Sequence, residues 1–386
     1  MKVVVVGAGV FGLGAARELA ARGHEVRVVD PGPVPHPLAA STDISKVIRM
    51  EYGPDDQYAE MAEVSIRRLL ELNETLDDEI YHHDGVAMIT RDEMAPGGFE
   101  YESFQTLERR GHHPVRLRGP ELKTRFPAWS SAFTDGFYNP YGGWVESGRL
   151  IAALARLARQ AGVGMVEDRA VGVKPGRVRL AGGLELECEL VVVAAGAWTP
   201  LLVPRLQPYM RSTGHPVFHL QTATPDLFSH PLFSTFTADI ARSGWYGFPH
   251  HPRERVIKVA NHGPGRFVHP DRDAREVYPE DIEGLRAFLA EALPALADAR
   301  VVYTRRCLYC DTLDEHFWIA EDPDQPGVFV ATGGSGHGMK FAPVLGPLIA
   351  DAVEGQENSW LARFRWRHLE PDTKGEEPAR NHQSPR

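Results

Sequence analysis

An α/β fold is predicted for this chain, with a parallel, nucleotide-binding layer assembled from separated segments and an antiparallel sheet inserted between them. Three observations carry the prediction. The first thirty residues, MKVVVVGAGVFGLGAARELAARGHEVRVVD, read as strand, glycine turn, helix and strand. Fully apolar runs of the parallel-strand type return only near 189 and again near 328. Between about 210 and 310 the pattern changes to short alternating segments broken by proline and glycine, which reads as antiparallel sheet. The layer is therefore Rossmann-like but discontinuous.

Composition bounds what such a chain can do. Its 386 residues suit two domains, and 24% charged with 43% apolar residues is the balance of a globule with a sizeable core. The net charge of −10 comes without a basic run, which argues against nucleic acid and anionic membrane as partners. Cys188, Cys307 and Cys310 cannot build a disulfide framework and point to a reducing compartment, so a cytoplasmic location is expected. The N-terminal apolar run starts directly after Met1 and Lys2 and contains glycines, so it reads as a first strand, not as a signal peptide or a membrane span.

Element by element, Val3–Val6 is a buried-type strand, and Gly7, Gly9 and Gly12 form the turn that opens a helix ending at Gly23. The glycines allow a tight turn, close approach of backbone to a pyrophosphate, and helix-on-strand packing, while the helix N-terminus offers free N–H groups to the anion. The second strand ends in Asp30, 18 residues after Gly12, where a carboxylate can accept from a ribose hydroxyl. Met61, Ser65, Leu69, Leu72 and Leu76 keep helical spacing over about 56 to 77, and Leu150, Leu154 and Leu157 do so over 148 to 161. A hairpin-like stretch follows, then the strand and small-residue turn of ELVVVAAGAW (Glu189–Trp198). Gly244–Pro249 and Val256–His262 belong to the antiparallel part, Val328–Ala331 is a last buried strand, and a glycine-rich turn leads into a helix from about Pro343 to Val353. The expected division is a cofactor domain of 1–82, 145–208 and 318–371, a substrate domain of 83–144 and 209–317, and a flexible polar tail of 372–386.

NAD enzymes usually complete their site with a second mononucleotide half directly after the first, whereas three separated segments around an antiparallel domain suit a long cofactor held extended. FAD is therefore favoured. Only seven of the 42 basic residues are lysine, so a lysine near a site is of interest because an ammonium can lose its proton when buried. Lys258, in VIKVANH, alternates with Val256, Ala260 and His262, and faces either water on a solvated sheet or the cofactor. Cys307 and Cys310 read as small buried residues or as a redox CxxC. Such redox pairs sit at helix N-termini, however, and this one lies in a β-type stretch. A zinc site is less favoured still, because one CxxC supplies two ligands and the paired histidines at 82 and 83, 112 and 113, and 250 and 251 point to opposite faces of an extended chain.

The N-terminal fingerprint, STDISKVIRMEYG (Ser41–Gly53), YGFP (Tyr246–Pro249), RRCLYCDTLDEHFWI (Arg305–Ile319) and GGSGHGMKF (Gly333–Phe341) resemble the monomeric sarcosine oxidase family of D-amino-acid-oxidase-type flavoproteins. That group also includes N-methyltryptophan, pipecolate, saccharopine and fructosyl amino acid oxidases. The resemblance covers nearly the whole chain. It implies FAD joined through the sulfur of Cys307 to the flavin 8α position. It implies a cofactor site of Gly7, Gly9, Val10, Phe11, Gly12, Asp30, Ser41, Thr42, Ser45, Lys46, Val171, Ala195, Gly196, Trp198, Gly336, His337, Gly338, Met339 and Lys340. It further implies Lys258 beside flavin N5 for the reaction with oxygen, His262 and Tyr246 on the substrate side, and Arg49 with Lys340 gripping the substrate carboxylate. Sarcosine oxidases carry arginine at the position of Lys46, whereas fructosyl amino acid and saccharopine oxidases carry lysine in a DxxK context like Asp43–Lys46. The expected function is thus oxidation by oxygen of a secondary amine bulkier than sarcosine, an N-methyl, cyclic or N-alkyl amino acid, giving an imine and hydrogen peroxide in a monomer. A fructosyl amino acid oxidase is the first alternative and a flavin dehydrogenase with another acceptor the second.

Overall fold

The computed structural model describes residues 1–380. Its first layer is a six-stranded sheet in the order Trp318–Glu321, Val328–Thr332, Leu190–Val193, Lys2–Val6, Glu25–Asp30, Gly164–Glu167. Every neighbouring pair is parallel except the edge strand Trp318–Glu321. Val3–Val6 pair in register with Leu190–Val193 and with Val26–Val29, and all four valines are buried. Burial on both faces explains why this strand is uniformly apolar and does not alternate.

The helices Val10–Ala21, Ser147–Gln160 and Ala342–Glu354 cover one face. The small antiparallel sheet of Ala170–Lys174, Arg177–Leu180 and Glu185–Glu187 covers the other, through Val178, Leu180 and Leu186 against Val4, Val6 and Val191. The first and last helices approach closely at a pair of glycines. A Cβ on Gly346 would stand 2.6 Å from the Gly14 carbonyl oxygen, so neither position tolerates a side chain without movement.

The second layer is a nine-stranded sheet to which strands between 86 and 139 and between 210 and 312 both contribute. Its backbone is the long antiparallel pair Met210–Gln221 and Arg300–Thr312. Ile257–Asn261 pairs with the same strand, with Lys258 opposite His219 and Ala260 opposite Val217. Ile257 and Val259 pack under the helix Pro279–Ala292 with Leu285, Phe288 and Leu289. Ala260 turns to the other side, against Cys307 and Tyr309. Both faces of this strand are buried, so Lys258 is not on a solvated surface: it is 1% exposed.

The polar C-terminal segment departs from its expected behaviour. Residues 372–380 carry no regular secondary structure, yet Glu377, Ala379 and Arg380 are buried. Buried ion pairs explain why: Arg380 meets Asp311 at 2.6 Å and Glu315 at 3.3 Å, and Glu377 meets Arg49 at 3.2 Å. The expectation of a flexible tail is corrected for 372–380, and its remainder, 381–386, lies outside the described residues.

Candidate active site

A cleft of about 620 Å³ runs over the C-terminal ends of the parallel strands and under the second sheet. Fourteen of the expected cofactor residues line it: Gly7, Gly9, Val10, Phe11, Asp30, Ser41, Lys46, Val171, Ala195, Gly196, Trp198, Gly336, Gly338 and Met339. The turn that begins it is tight, with Gly7 at φ +108° and a Cβ on Gly12 falling 1.8 Å from the Gly7 carbonyl oxygen. Gly12 is therefore a packing residue beneath the turn. Asp30 holds the turn from the opposite side, its two carboxylate oxygens accepting from the N–H groups of Ala8 (2.8 Å) and Gly32 (3.0 Å). Each oxygen keeps a second lone pair for a ribose hydroxyl.

The remaining expected cofactor residues are placed differently. The Thr42 and Ser45 hydroxyls are buried with no hydrogen-bond partner, next in sequence to the cleft-lining Ser41 and Lys46. Orphaned donors beside a glycine turn whose helix N-terminus faces the cleft suit a long, acceptor-rich ligand, so the residues present fit FAD. His337 turns its ring away from the cleft, to the Tyr52 hydroxyl (3.0 Å) and the Glu315 carbonyl (3.1 Å), and burial pushes it down to about 3, which keeps the imidazole neutral.

Two clusters adjoin the cleft. In the first, Cys307 Sγ lies 3.9 Å from Lys46 Nζ, and the Arg305 side chain reaches the same sulfur. Asp43 is the buried anion of this group: Lys258 donates to it at 2.8 Å and to the Ser45 carbonyl, and Lys46 stands 3.6 Å away. Burial alone would raise the Asp43 carboxyl, but Lys258, Lys46 and Arg305 hold it well below the usual carboxylate range. Burial likewise works against the Lys46 ammonium, and the acidic groups Cys307 and Asp43 more than offset this. Lys258 is the opposite case, pushed down to about 8 by burial and the neighbouring Lys46 against the pull of Asp43.

In the second cluster Arg49 follows the strand Lys46–Ile48 and is buried between the rings of Tyr52 and Phe99, 5.0 and 5.6 Å from their centroids. Lys340 also stands over Tyr52, 5.5 Å from its centroid. Burial, with Arg49 adding to it, holds Lys340 well below the usual lysine value. The third member, His262, is shifted down by burial. The Glu377 carboxylate joins them, its oxygens at 3.2 Å from Arg49 Nη2 and 2.8 Å from His262 Nε2.

Tyr309 connects the two clusters and also lines the cleft. Its ring stacks on His215 at 3.9 Å, lies 5.7 Å from His262, and packs with Tyr246 and Cys307 in one buried cluster. Gly336 fits against both rings, since a Cβ there would fall 2.3 Å from Tyr309 and 2.8 Å from His262. The structure therefore gathers Arg49, Lys340 and His262 at one end, and Lys46, Lys258, Tyr246 and Cys307 at the other. Sequence reasoning missed Tyr309, His215 and Arg305, although the period-two alternation of Arg300–Thr312 already places Arg305, Cys307 and Tyr309 on one face. It also missed Glu377, for which the sequence carries no local signal.

Comparison with known proteins places the chain in a family. The chain is 29% identical over 381 residues to the monomeric sarcosine oxidase of a Bacillus species, covering 94% of each chain. It is 27% identical to L-saccharopine oxidase of Schizosaccharomyces pombe, covering 95% of this chain and 93% of that one. The solved structure of a fructosyl amine oxygen oxidoreductase, Amadoriase I of Aspergillus fumigatus, superposes with a TM-score of 0.81 at 23% identity, over 96% of this chain and 90% of that one, and so shares the fold. Residues 2–352 match the family model described as FAD dependent oxidoreductase, and the chain belongs to that family, DAO.

Proposed function

We propose that this protein is an oxidase of secondary amines, acting on an N-substituted amino acid with oxygen as acceptor. One observation carries the reading: a buried Arg49–Lys340 cation pair is already engaged with a carboxylate that also meets His262, and Gly336 of the cofactor cleft packs against that His262 ring. Two buried cations acting on the single carboxylate of Glu377 form a receptor for a carboxylate, held through the arginine fork and the ammonium point charge. An amino acid anchored there by its carboxylate extends its nitrogen towards His262 and Tyr309.

FAD, which the glycine turn, Asp30, Thr42 and Ser45 would hold, would supply the redox chemistry, a two-electron oxidation of the carbon–nitrogen bond with oxygen, reduced to hydrogen peroxide, as the final acceptor. The protein's own residues prepare the amine. Arg49 and Lys340 fix its orientation, and their field lowers the proton affinity of the substrate ammonium, so that the nitrogen lone pair is available. His262 is buried and shifted down, and its Nε2 holds the proton that it donates to Glu377 at 2.8 Å; with that carboxylate displaced, the imidazole stands beside the substrate nitrogen to relay the amine proton. The imine leaves and hydrolyses in water. At the other end Lys258 and Lys46 set two ammonium groups against the single anion Asp43, and this excess positive charge supports electron transfer to oxygen.

Covalent attachment through Cys307 belongs to the same proposal, supported by the position of its sulfur beside Lys46 and Arg305 next to the cleft. The Asp43–Lys46 context, which resembles that of the fructosyl amino acid and saccharopine oxidases, supports as a second reading a glycated amino acid as the secondary amine. A peroxide-coupled screen of N-methyl, cyclic and glycated amino acids tests both. Turnover of sarcosine above every larger amine sinks the size preference, and a yellow protein that yields no peroxide with any of them sinks the oxidase. Acid precipitation should leave colour in the pellet for the wild type and in the supernatant for Cys307→Ser. Free extraction from both returns Cys307 to a packing role.

A further inference from the structure

The carboxylate on Arg49 belongs to the chain itself, and we propose that Glu377 is an intramolecular occupant of the substrate carboxylate site, displaced when a substrate carboxylate binds. This inference rests on the assignment of Arg49 and Lys340 as a carboxylate receptor. Glu377 makes the contacts that a substrate would make: Oε1 accepts from Arg49 Nη2 at 3.2 Å, Oε2 faces His262 Nε2 at 2.8 Å, and the Lys340 charge acts on it as well. Two carboxylates cannot share this pocket, because the second would be buried against a like charge.

The grip is also incomplete. Arg49 Nη1 is buried without a partner, so Glu377 holds the guanidinium through one bond where a free carboxylate can make two. The segment around it is built to yield locally. Residues 372–380 form no helix or strand, and Lys374 and Glu376 are exposed. The anchors lie on either side of Glu377. Upstream, Glu376 N–H donates to the Asp314 carbonyl at 3.2 Å, and downstream Arg380 pairs with Asp311 at 2.6 Å. Between the anchors, Glu377 N–H donates to Glu315 Oε2 and Arg380 N–H to the Glu377 carbonyl, both at 3.0 Å, so clearing the site moves the Glu377 side chain and at most these two bonds. Isolated bonds of this kind, outside a helix or sheet ladder, open more readily than regular structure. Glu377 would thus set a threshold: a ligand must carry a carboxylate good enough to replace it, and Arg49 and Lys340 keep a counter-charge when none is present.

The test uses the FAD-loaded full-length protein and benzoate, a plain carboxylate, titrated by the change in flavin absorbance. Removing the competitor in Glu377→Gln should tighten benzoate binding about tenfold, as expected when a binding-competent state of about one tenth becomes the whole population. In the wild type, hydrogen exchange of peptides spanning 372–380 should accelerate with saturating benzoate while peptides of the parallel sheet stay unchanged. That second measurement needs no variant and no turnover, so it stands even if no N-substituted amino acid proves to be a substrate. Benzoate binding no tighter in Glu377→Gln, including the case in which neither protein binds it, overturns the proposal. So does unchanged protection of 372–380 at saturating benzoate.

Discussion

Lys258 shows how a single side chain acquires its role from partners far away in sequence. Asp43 and the Ser45 carbonyl bind its ammonium from a loop more than two hundred residues upstream. A unit charge at about 4 Å and an effective dielectric near 20 is worth about 4 kcal/mol, and Asp43 offsets part of it, so Lys258→Met should slow flavin reoxidation roughly a hundredfold. Anaerobic reduction by substrate should change far less, and stopped-flow measurement of the two half-reactions separates them. Because Lys258 is pushed down to about 8, its ammonium is present below that pH and lost above it, so the oxygen step should weaken as pH rises through 8 in the wild type and not in the variant. At the receptor, Arg49→Ala should cost about 2–5 kcal/mol in kcat/KM for an acid substrate. Equal losses for the acid and its amide would show that Arg49 serves packing. Local signals such as the glycine turn and Asp30 were legible in sequence because their partners are near neighbours. The Asp43–Lys258 pair and the Glu377 contact were not, since a charge does not announce which distant charge it will meet.

At the scale of elements, Asp56–Leu76 and Ser147–Gln160 were readable within a residue or two, whereas the helices Phe99–Arg109 and Pro279–Ala292 and the parallel strand Gly164–Glu167 were not, the second helix lying inside a stretch that reads as antiparallel sheet. The contact between the first and last helices was not, because it depends on two glycines that look like mild helix breakers. Gly346→Ala places a methyl group against the Gly14 backbone, so the gain of about 1 kcal/mol in helix propensity is outweighed by about 1–3 kcal/mol of overpacking. The melting temperature should fall by a few degrees, and an unchanged value would mean that the helices separate freely. Alternation in Ile257–Asn261 was also legible, but not that both of its faces are buried, which follows only from the helix on one side and the Cys307 strand on the other.

Across the whole molecule, the two layers are joined by buried polar groups that make stability depend on pH. Glu100, in the first turn of the helix Phe99–Arg109, is pushed up to about 7 by burial, and one of its oxygens has no partner. An acid raised in the folded state binds more protons there than when unfolded, so its contribution is full below the ordinary carboxylate value and lost as pH rises to 7. Glu100→Gln removes that slope and should stabilise the protein at pH 8.5 by about 3 kcal/mol relative to its effect at pH 4. Urea unfolding of both proteins at the two values measures the difference, and parallel curves would place the Glu100 carboxyl in water. Composition and segment order were enough to read the discontinuous layer. The buried course of 372–380 was hidden, because its polar residues are compensated one by one by groups from four other segments.

The order of strands in the parallel sheet also governs how the protein is made. Lys2–Val6 sits beside Leu190–Val193, almost two hundred residues further on, and that strand in turn waits for Val328–Thr332, while the helix Val10–Ala21 packs on Ala342–Glu354. Contacts of such sequence separation form slowly, and until they do the apolar edge of Leu190–Val193 has no neighbour on one side. The nucleotide cleft takes its walls from segments as far apart as Val6 and Met339, so it comes into being only once the segment around 328–339 has been made. A chain cut short of that segment carries the glycine fingerprint without the means to retain a flavin, and cofactor loading waits for it.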